Sequence, residues 1–298
     1  MDYDTVSQAE GRWNIQLKRH GHDEFVGPCP WCGGVDRFHV WQDKGNYWCR
    51  QCDAKGFVDD DQDTDDHELR LRILENKQRE IERRQAELEA RMTALERMHS
   101  CKDHLLYHRQ MKDEAILYWN EQGMLYETIE RYLLGYCQRC PTDHDHRASY
   151  TIPVISNGKL WNIRHRLVGA DNGDKYRPHI AGLPNVLFNA DDLRADSAEI
   201  LIVEGEKKSI VAAQAGFVNV GVMGKSGFDG AWVQKFAPFQ RVNVCYDPDA
   251  IDQAAEVAKL FGKRGRVVYT PHKLDDLMTL YGATAQDIRA MVDLGRAV

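Results

Sequence analysis

Two cysteine pairs constrain this chain more than any other feature. Cys29 and Cys32 are separated by two residues, Cys49 and Cys52 by two, and 16 residues lie between the pairs. Thiolates at that spacing sit on tight turns that aim two sulfurs at one ion, and two such turns complete a tetrahedron. Gly33 and Gly34 follow the first pair and Gly56 the second, and the FHVW and NYWC stretches between them read as strands. The residues therefore predict a zinc ribbon over 1–58. Four protein ligands, Cys29, Cys32, Cys49 and Cys52, leave no open position, so the Zn2+ is expected to be structural. Asp36, Arg37, His39, Trp41, Tyr47, Trp48 and Lys55 lie on or beside the ribbon strands. Rings interleaved with cations can stack single-stranded bases and hold phosphates, and the same rings suit the core of a small module.

The N-terminus, MDYDTVSQAEGRW, is polar and acidic and has no signal-peptide core. Paired cysteines in such a chain read as metal ligands before disulfides, and a cytoplasmic location is expected. No apolar run approaches the roughly 20 residues of a membrane span, so no membrane role is expected. The length, 298 residues, allows two or three compact units. A net charge of −7 argues against a uniformly basic nucleic-acid binder. The charge is uneven, however. Acids concentrate between Asp59 and Asp66, which reads as a solvated linker, and cations gather from Arg164 to Arg177.

From His67 to His99 the chain is nearly all helix formers. Leu71, Leu74, Ile81, Leu88, Met92 and Leu95 fall on the a and d positions of a heptad, with Gln78 and Gln85 at the remaining a positions. A long helix is expected, serving either as a spacer packed on its own chain or as a seam through which two copies pair. Two helical segments are expected between Ser100 and Gly135. A β-hairpin is expected next, with strands Thr151–Ile155 and Leu160–Leu167 around an Asn157-Gly158 turn.

The last hundred residues alternate strands and helices. Strands are expected at Ile200–Val203, Val218–Val222, Arg241–Tyr246 and Arg266–Thr270, with helices at Lys207–Ala215, Ala231–Ala237, Asp249–Phe261 and Thr284–Leu294. That alternation predicts an α/β fold with a mainly parallel sheet. Three of the strands run into carboxylates: Glu204 after ILIV, Asp247 and Asp249 after VNVCY, and Asp275 and Asp276 after RVVYT. Ligands of open α/β sheets bind at the carboxyl ends of strands, so the three sets should converge on one edge. Clustered carboxylates repel unless a cation neutralises them, and oxygen donors of this kind suit Mg2+ or Mn2+. The stretch MGKSG at Met223–Gly227 is not a phosphate-binding loop, because the glycine such a loop needs at position 219 is Asn219. Cys137, Cys140, His144 and His146 offer a cramped second zinc set whose other reading is two structural thiols beside a His-rich loop.

Together these features resemble the DnaG-type primase family, including its phage and mobile-element relatives. EGEKK at Glu204 and DPD at Asp247–Asp249 match the strand-end motifs of a Toprim domain. IPVISNGKLWNIRHRL, DKYRP and LFN resemble the basic half of the primase polymerase core, and YWNEQGMLYETIERYLLGY its helical opening. The resemblance covers the ribbon and roughly residues 100–298. It implies a ribbon over 1–58, an acidic linker and long helix over 59–99, an α+β basic subdomain over 100–196 and a Toprim-type parallel sheet over 197–298. It further implies that Glu204 works as a general acid/base or metal ligand, that Asp247 and Asp249 hold Mg2+ or Mn2+, and that Asp275 or Asp276 adds a further acid. Arg164, Arg166, Lys175 and Arg177 would face template phosphate or NTP, joined by Lys207 and Lys208 of EGEKK.

The chain departs from the family in four places. All four ribbon ligands are Cys where a His is usual, a long helix follows the ribbon, EGEKK replaces the more familiar continuation after E-G and adds Lys207 and Lys208, and the chain ends soon after the Toprim-like part. These point to a phage, plasmid or mobile-element protein that works with a separate replicative helicase. The expected activity is template-directed synthesis of short RNA primers on single-stranded DNA from NTPs. A Toprim nuclease using the same metals and a non-catalytic DNA-binding adaptor are the alternatives.

Overall fold

The computed structural model describes residues 4–59, 66–170 and 175–298, the side chains of 66–73 excepted. Most of the expected acidic linker, and the side chain of Leu71, lie outside the described residues. The chain divides into two compact units, Met1–Glu89 and Ala90–Val298.

The first unit opens with helix α1 (Thr5–Trp13), which the sequence reading did not anticipate. The Asp4 side chain caps it by accepting from the Val6 N–H, and the helix lays Val6, Ala9 and Trp13 against the ribbon. Five antiparallel strands follow in sequential order: β1 (Lys18–Arg19), β2 (Glu24–Cys29), β3 (Gly33–Trp41), β4 (Asn46–Cys49) and β5 (Lys55–Phe57). Their core is an aromatic knot. Trp13 meets Trp31, Phe38 and Tyr47 edge-on at centroid distances of 5.5, 5.3 and 4.9 Å. These rings serve the core, while Trp48 stays on the surface. The aromatics that sequence alone could not apportion are thus divided by strand parity.

Helix α2 (Asp66–Ser100) is 35 residues long. It is studded with i,i+3 and i,i+4 ion pairs, among them Arg83–Glu80 and Arg84–Glu80. Its heptad residues Leu74, Ile81, Leu88 and Met92 are exposed.

The second unit continues with three short helices where two were expected: α3 (Asp103–Arg109), α4 (Asp113–Glu121) and α5 (Tyr126–Arg131). Gly123, at φ +84°, turns the chain between the last two. An antiparallel sheet follows in the order β6 (Gly135–Cys137), β7 (Ser149–Ser156), β8 (Lys159–Leu167) and β9 (Tyr176–Pro178). Strands β7 and β8 form the expected hairpin, with Asn157 and Gly158 both at positive φ as a type I′ turn requires. One face of this sheet packs Ile152 and Val154 against Trp119 and Ile129 of α4 and α5. The other packs Ile163 against Met98 and Tyr107 of α2 and α3.

The second sheet is built from β10 (Glu199–Glu204), α6 (Glu206–Gln214), β11 (Asn219–Val222), β12 (Arg241–Cys245), α7 (Ile251–Lys259), β13 (Gly265–Val267), α8 (Leu274–Thr279), α9 (Ala285–Asp293) and β14 (Arg296–Ala297). The order is β11-β10-β12-β13-β14; the first four strands are parallel and β14 is an antiparallel edge. The helix expected at Ala231–Ala237 is a 3-10 turn over Gly230–Phe236. The helix expected from Asp249 begins at Ile251, after a 3-10 turn led by Pro248. Helix α8 and strand β14 are further elements that periodicity did not reveal. Apolar clusters cover both faces: Ile200, Ile202, Val242 and Val244 on one, Leu201, Val203, Cys245 and Val268 on the other.

Candidate metal and nucleotide site

Glu204 is the last residue of β10, and Gly205, at φ +89°, turns the chain directly into α6. Asp247 stands two residues after the end of β12, and Asp249 in the adjoining 3-10 turn. Asp275 is in the first turn of α8. Because β10, β12 and β13 are parallel, their carboxyl ends share one rim. Burial first, and then the charges of Asp247 and Asp249, raise the pKa of Glu204.

Helix α6 brings two lysines to the same rim. Lys208 Nζ lies 3.0 Å from Asp247 Oδ1, Lys207 Nζ lies 2.6 Å from Asp275 Oδ2, and Lys273 Nζ reaches within 3.6 Å of Asp247 Oδ2. Burial alone would lower the Lys208 pKa; the carboxylates of Asp247, Asp275 and Glu204 more than offset it and hold the ammonium above its usual value. Asp275 is likewise pushed up by burial and pulled below its usual range by Lys207 and Lys208. Lys207 and Lys208, expected to face nucleic acid or NTP, each pair with a buried acid of the rim.

Asp247 and Asp275 are both buried; Asp275 Oδ1 has no hydrogen-bond partner, and Asp247 Oδ1 meets the Lys208 ammonium at 3.0 Å. Desolvated carboxylates with unfilled lone pairs, on the same rim as a Glu of raised pKa, fit a hard divalent cation. Asp276 is only half-buried, so of the two neighbouring acids Asp275 is the one turned inward.

The cations of the antiparallel sheet divide between its faces. Arg164 and Arg166, two apart on β8, share a face with Ile152 and Tyr150 of β7. Arg164 Nε pairs with Glu206 Oε1 at 3.1 Å, both side chains being mostly buried. Arg166 donates to the Tyr118 hydroxyl and lies over its ring, and Tyr118 stacks on Tyr150 at 3.4 Å and 9°. Tyr176, opposite Arg166 on β9, feels the charges of Arg166, Glu206, Asp275 and Lys208, which ties this face to the acidic rim. Arg177 pairs in register with His165 and so belongs to the opposite face, where it donates to the Thr142 carbonyl and lies 3.4 Å from Asp143. Lys175 is exposed. The four expected cations therefore do not form one patch. Glu206, Tyr118, Tyr150 and Tyr176 were missed, because their part in the site depends on contacts between distant segments.

In the ribbon, Cys29 Sγ and Cys52 Sγ are 3.7 Å apart, Cys32 Sγ and Cys49 Sγ 3.5 Å, and all four sulfurs lie within 4.8 Å of one another. A tetrahedral tetrathiolate with Zn–S bonds near 2.3 Å needs sulfurs about 3.8 Å apart, so the set fits zinc. Without a cation, burial pushes the Cys29 thiol up to about 12. Outside the knot, His39 stacks beside Trp41 and donates to the Glu24 carboxylate at 2.8 Å, and the Trp48 indole donates to Asp53. Cys137, Cys140, His144 and His146 are not brought together as a metal set among the described residues: Cys140 is buried against Thr142, and His144 projects into solvent.

A sequence model of the zinc-binding domain of primase-helicase matches residues 26–61. Solved structures extend the likeness across the chain. The zinc-binding and RNA polymerase domains of the Aquifex aeolicus primase superpose with a TM-score of 0.51 at 17% identity, covering 100% of this chain and 84% of that one. The chain has the fold of a DnaG-type primase. The catalytic domain of a DnaG primase bound to single-stranded DNA gives a TM-score of 0.54 at 18% identity over 70% of this chain and 83% of that one. The RNA polymerase domain of the Mycobacterium tuberculosis primase, in complex with double-stranded DNA, gives 0.52 at 14% identity over 65% and 78%. No curated protein matches in sequence. On this primase fold, the acidic rim and the Arg164–Arg166 face belong to the second unit, and the four-cysteine zinc site to the first.

Proposed function

We propose that the protein makes short RNA primers on single-stranded DNA. The observation that carries the reading is the shared rim of Glu204, Asp247, Asp249 and Asp275 at the carboxyl ends of parallel strands, on the DnaG-type primase fold. Glu204, Asp247 and Asp249, with Asp275 behind them, would hold Mg2+ or Mn2+. Bound there, such an ion neutralises the phosphates and stabilises charge built up as a 3′-hydroxyl attacks the α-phosphate.

The rest falls to side chains of this chain. Lys207 and Lys208 pair with Asp275 and Asp247 and offset their charge. Arg164 and Arg166, held by Glu206 and Tyr118, present fixed guanidiniums to a triphosphate or to template phosphates. Lys175 and Arg177 would meet nucleic acid from elsewhere on the sheet. Trp48, Trp41 and His39 offer rings on which template bases can stack. Pairing with the template selects the nucleotide, so little base readout is required. A separate replicative helicase would supply the single strand, and the exposed heptad stripe of α2 offers a surface to a second copy.

The test is a gel-resolved reaction with single-stranded DNA, labelled NTPs and Mg2+ or Mn2+, run beside Glu204→Gln and Asp247→Asn. Template-dependent oligonucleotides absent from both variants support the assignment. Metal-dependent shortening of the DNA would replace it with a nuclease, and intact DNA binding with neither activity would replace it with an adaptor.

A further inference from the structure

A second cluster of soft and hard donors lies away from the acidic rim. The Sγ of Cys101, a carboxylate oxygen of Asp103 and a ring nitrogen of His179 lie within 4.8 Å of one another. Cys101 sits in the junction between α2 and α3, Asp103 opens α3, and His179 follows β9 directly. Residues 78 apart in the chain thus meet at one point, at the edge of the sheet face opposite Arg164 and Arg166. Besides the ribbon cysteines it is, among the described residues, the one set of three or more His, Cys, Asp or Glu whose ligand atoms all lie within 4.8 Å of one another.

We infer that Cys101, Asp103 and His179 form a second metal site, for a single divalent transition ion of the zinc type, with solvent in the fourth position.

The donor chemistry fits such an ion. One thiolate and one carboxylate cancel its two positive charges, and thiolate with imidazole selects a borderline-soft metal over Mg2+. His179 Nε2 already lies 3.5 Å from Asp103 Oδ2, close to the spacing of two ligands on one tetrahedral ion. The Asp103 backbone N–H donates to Cys101 Sγ at 3.5 Å, which fixes the sulfur beside the Asp103 carboxylate.

The strongest observation lies behind His179. Its Nδ1 is 3.0 Å from His165 Nε2, and His165 Nδ1 is 2.9 Å from Ser149 Oγ. His165 and Ser149 are fully buried. A ligating imidazole needs its far nitrogen held by a partner that fixes the ring and the tautomer, and this relay provides one. With the ion bound, His179 Nδ1–H donates to His165 Nε2, His165 Nδ1–H donates to Ser149 Oγ, and His179 Nε2 is free for the metal. Tyr107 packs edge-on against His165 and walls the relay. The charged groups facing His179 are Asp103 and the more distant Arg97. A metal here would clamp the α2–α3 junction to the edge strand β9.

The experiment measures zinc per chain by atomic emission on the full-length protein after zinc loading and desalting. Wild type should carry two equivalents. Cys101→Ala, Asp103→Asn and His179→Gln should each carry one, and Cys29→Ser/Cys32→Ser should carry one of the other kind. Cobalt distinguishes the two. Loaded into Cys29→Ser/Cys32→Ser, it should give one-thiolate absorption that Cys101→Ala, introduced on that background, abolishes. In Cys101→Ala alone, the four-thiolate spectrum of the ribbon should persist, which also shows that the variant has folded. A single equivalent in the wild type, or two in both Cys101→Ala and His179→Gln, overturns the site.

Discussion

Glu204 ends a buried strand beside the charges of Asp247 and Asp249, so burial and like charge raise its pKa. A carboxyl whose folded pKa lies above its unfolded value stabilises the fold below the unfolded pKa, and that stability is lost as the pH rises through the folded one. At neutral pH the ionised Glu204 therefore weakens the magnesium-free fold. Glu204→Gln should raise the Tm in magnesium-free buffer by about 1–3 °C while abolishing primer synthesis, and calorimetry with the zinc retained checks this. An unchanged or lower Tm would show that the carboxylate is not strained there. His165 carries the opposite sign. Its folded pKa, about 3, lies below the ordinary histidine value, so its contribution is present above about pH 6.5 and fades as the pH falls from there toward 3. The Tm of the second unit should decline across that window, and His165→Gln should start from a lower Tm and decline less. Equal slopes for the two proteins would remove His165 from the account.

Among the elements, the packing of α7 on β13 is the least forgiving. A methyl placed on Gly265 would overlap the backbone carbonyl of Ala258, which cannot move without distorting the helix. Gly265→Ala should cost about 1–3 kcal/mol, read as a lower urea midpoint with an unchanged slope. A midpoint equal to wild type would mean that the helix shifts freely. What could be read in advance from sequence follows the same local logic. The β7–β8 hairpin was legible because Asn157-Gly158 states its turn, and β10, β11 and β12 because short apolar runs end at turn residues. Helix α1 was missed because its reason for being, the fit of Trp13 among Trp31, Phe38 and Tyr47, exists only after the ribbon folds. Parity along β8 places Arg164 and Arg166 together, but the side on which Arg177 falls depends on the β8–β9 register, which no local pattern encodes. The acids at the strand ends could be named from sequence; the lysines that neutralise them could be named but not paired.

At the scale of the molecule, the two units draw stability from different sources. The ribbon's core is a handful of rings and cysteines around one ion position, whereas the second unit buries apolar clusters on both faces of its parallel sheet. A module that small depends on its metal. Chelation should collapse the indole N–H signals of Trp13, Trp31, Trp41 and Trp48 in a proton–nitrogen spectrum, while those of Trp119, Trp161 and Trp232 stay dispersed. Loss of all seven together would show that the units unfold as one. The parallel sheet is also closed to its neighbours in solution. One edge ends in β14, two residues long and carrying Arg296, and the other is partly occupied by the bridge between Phe188 and Gly221. A stray strand from another molecule finds almost no free ladder to join on either side. The chain can therefore reach high local concentration without its parallel sheet seeding a fibre.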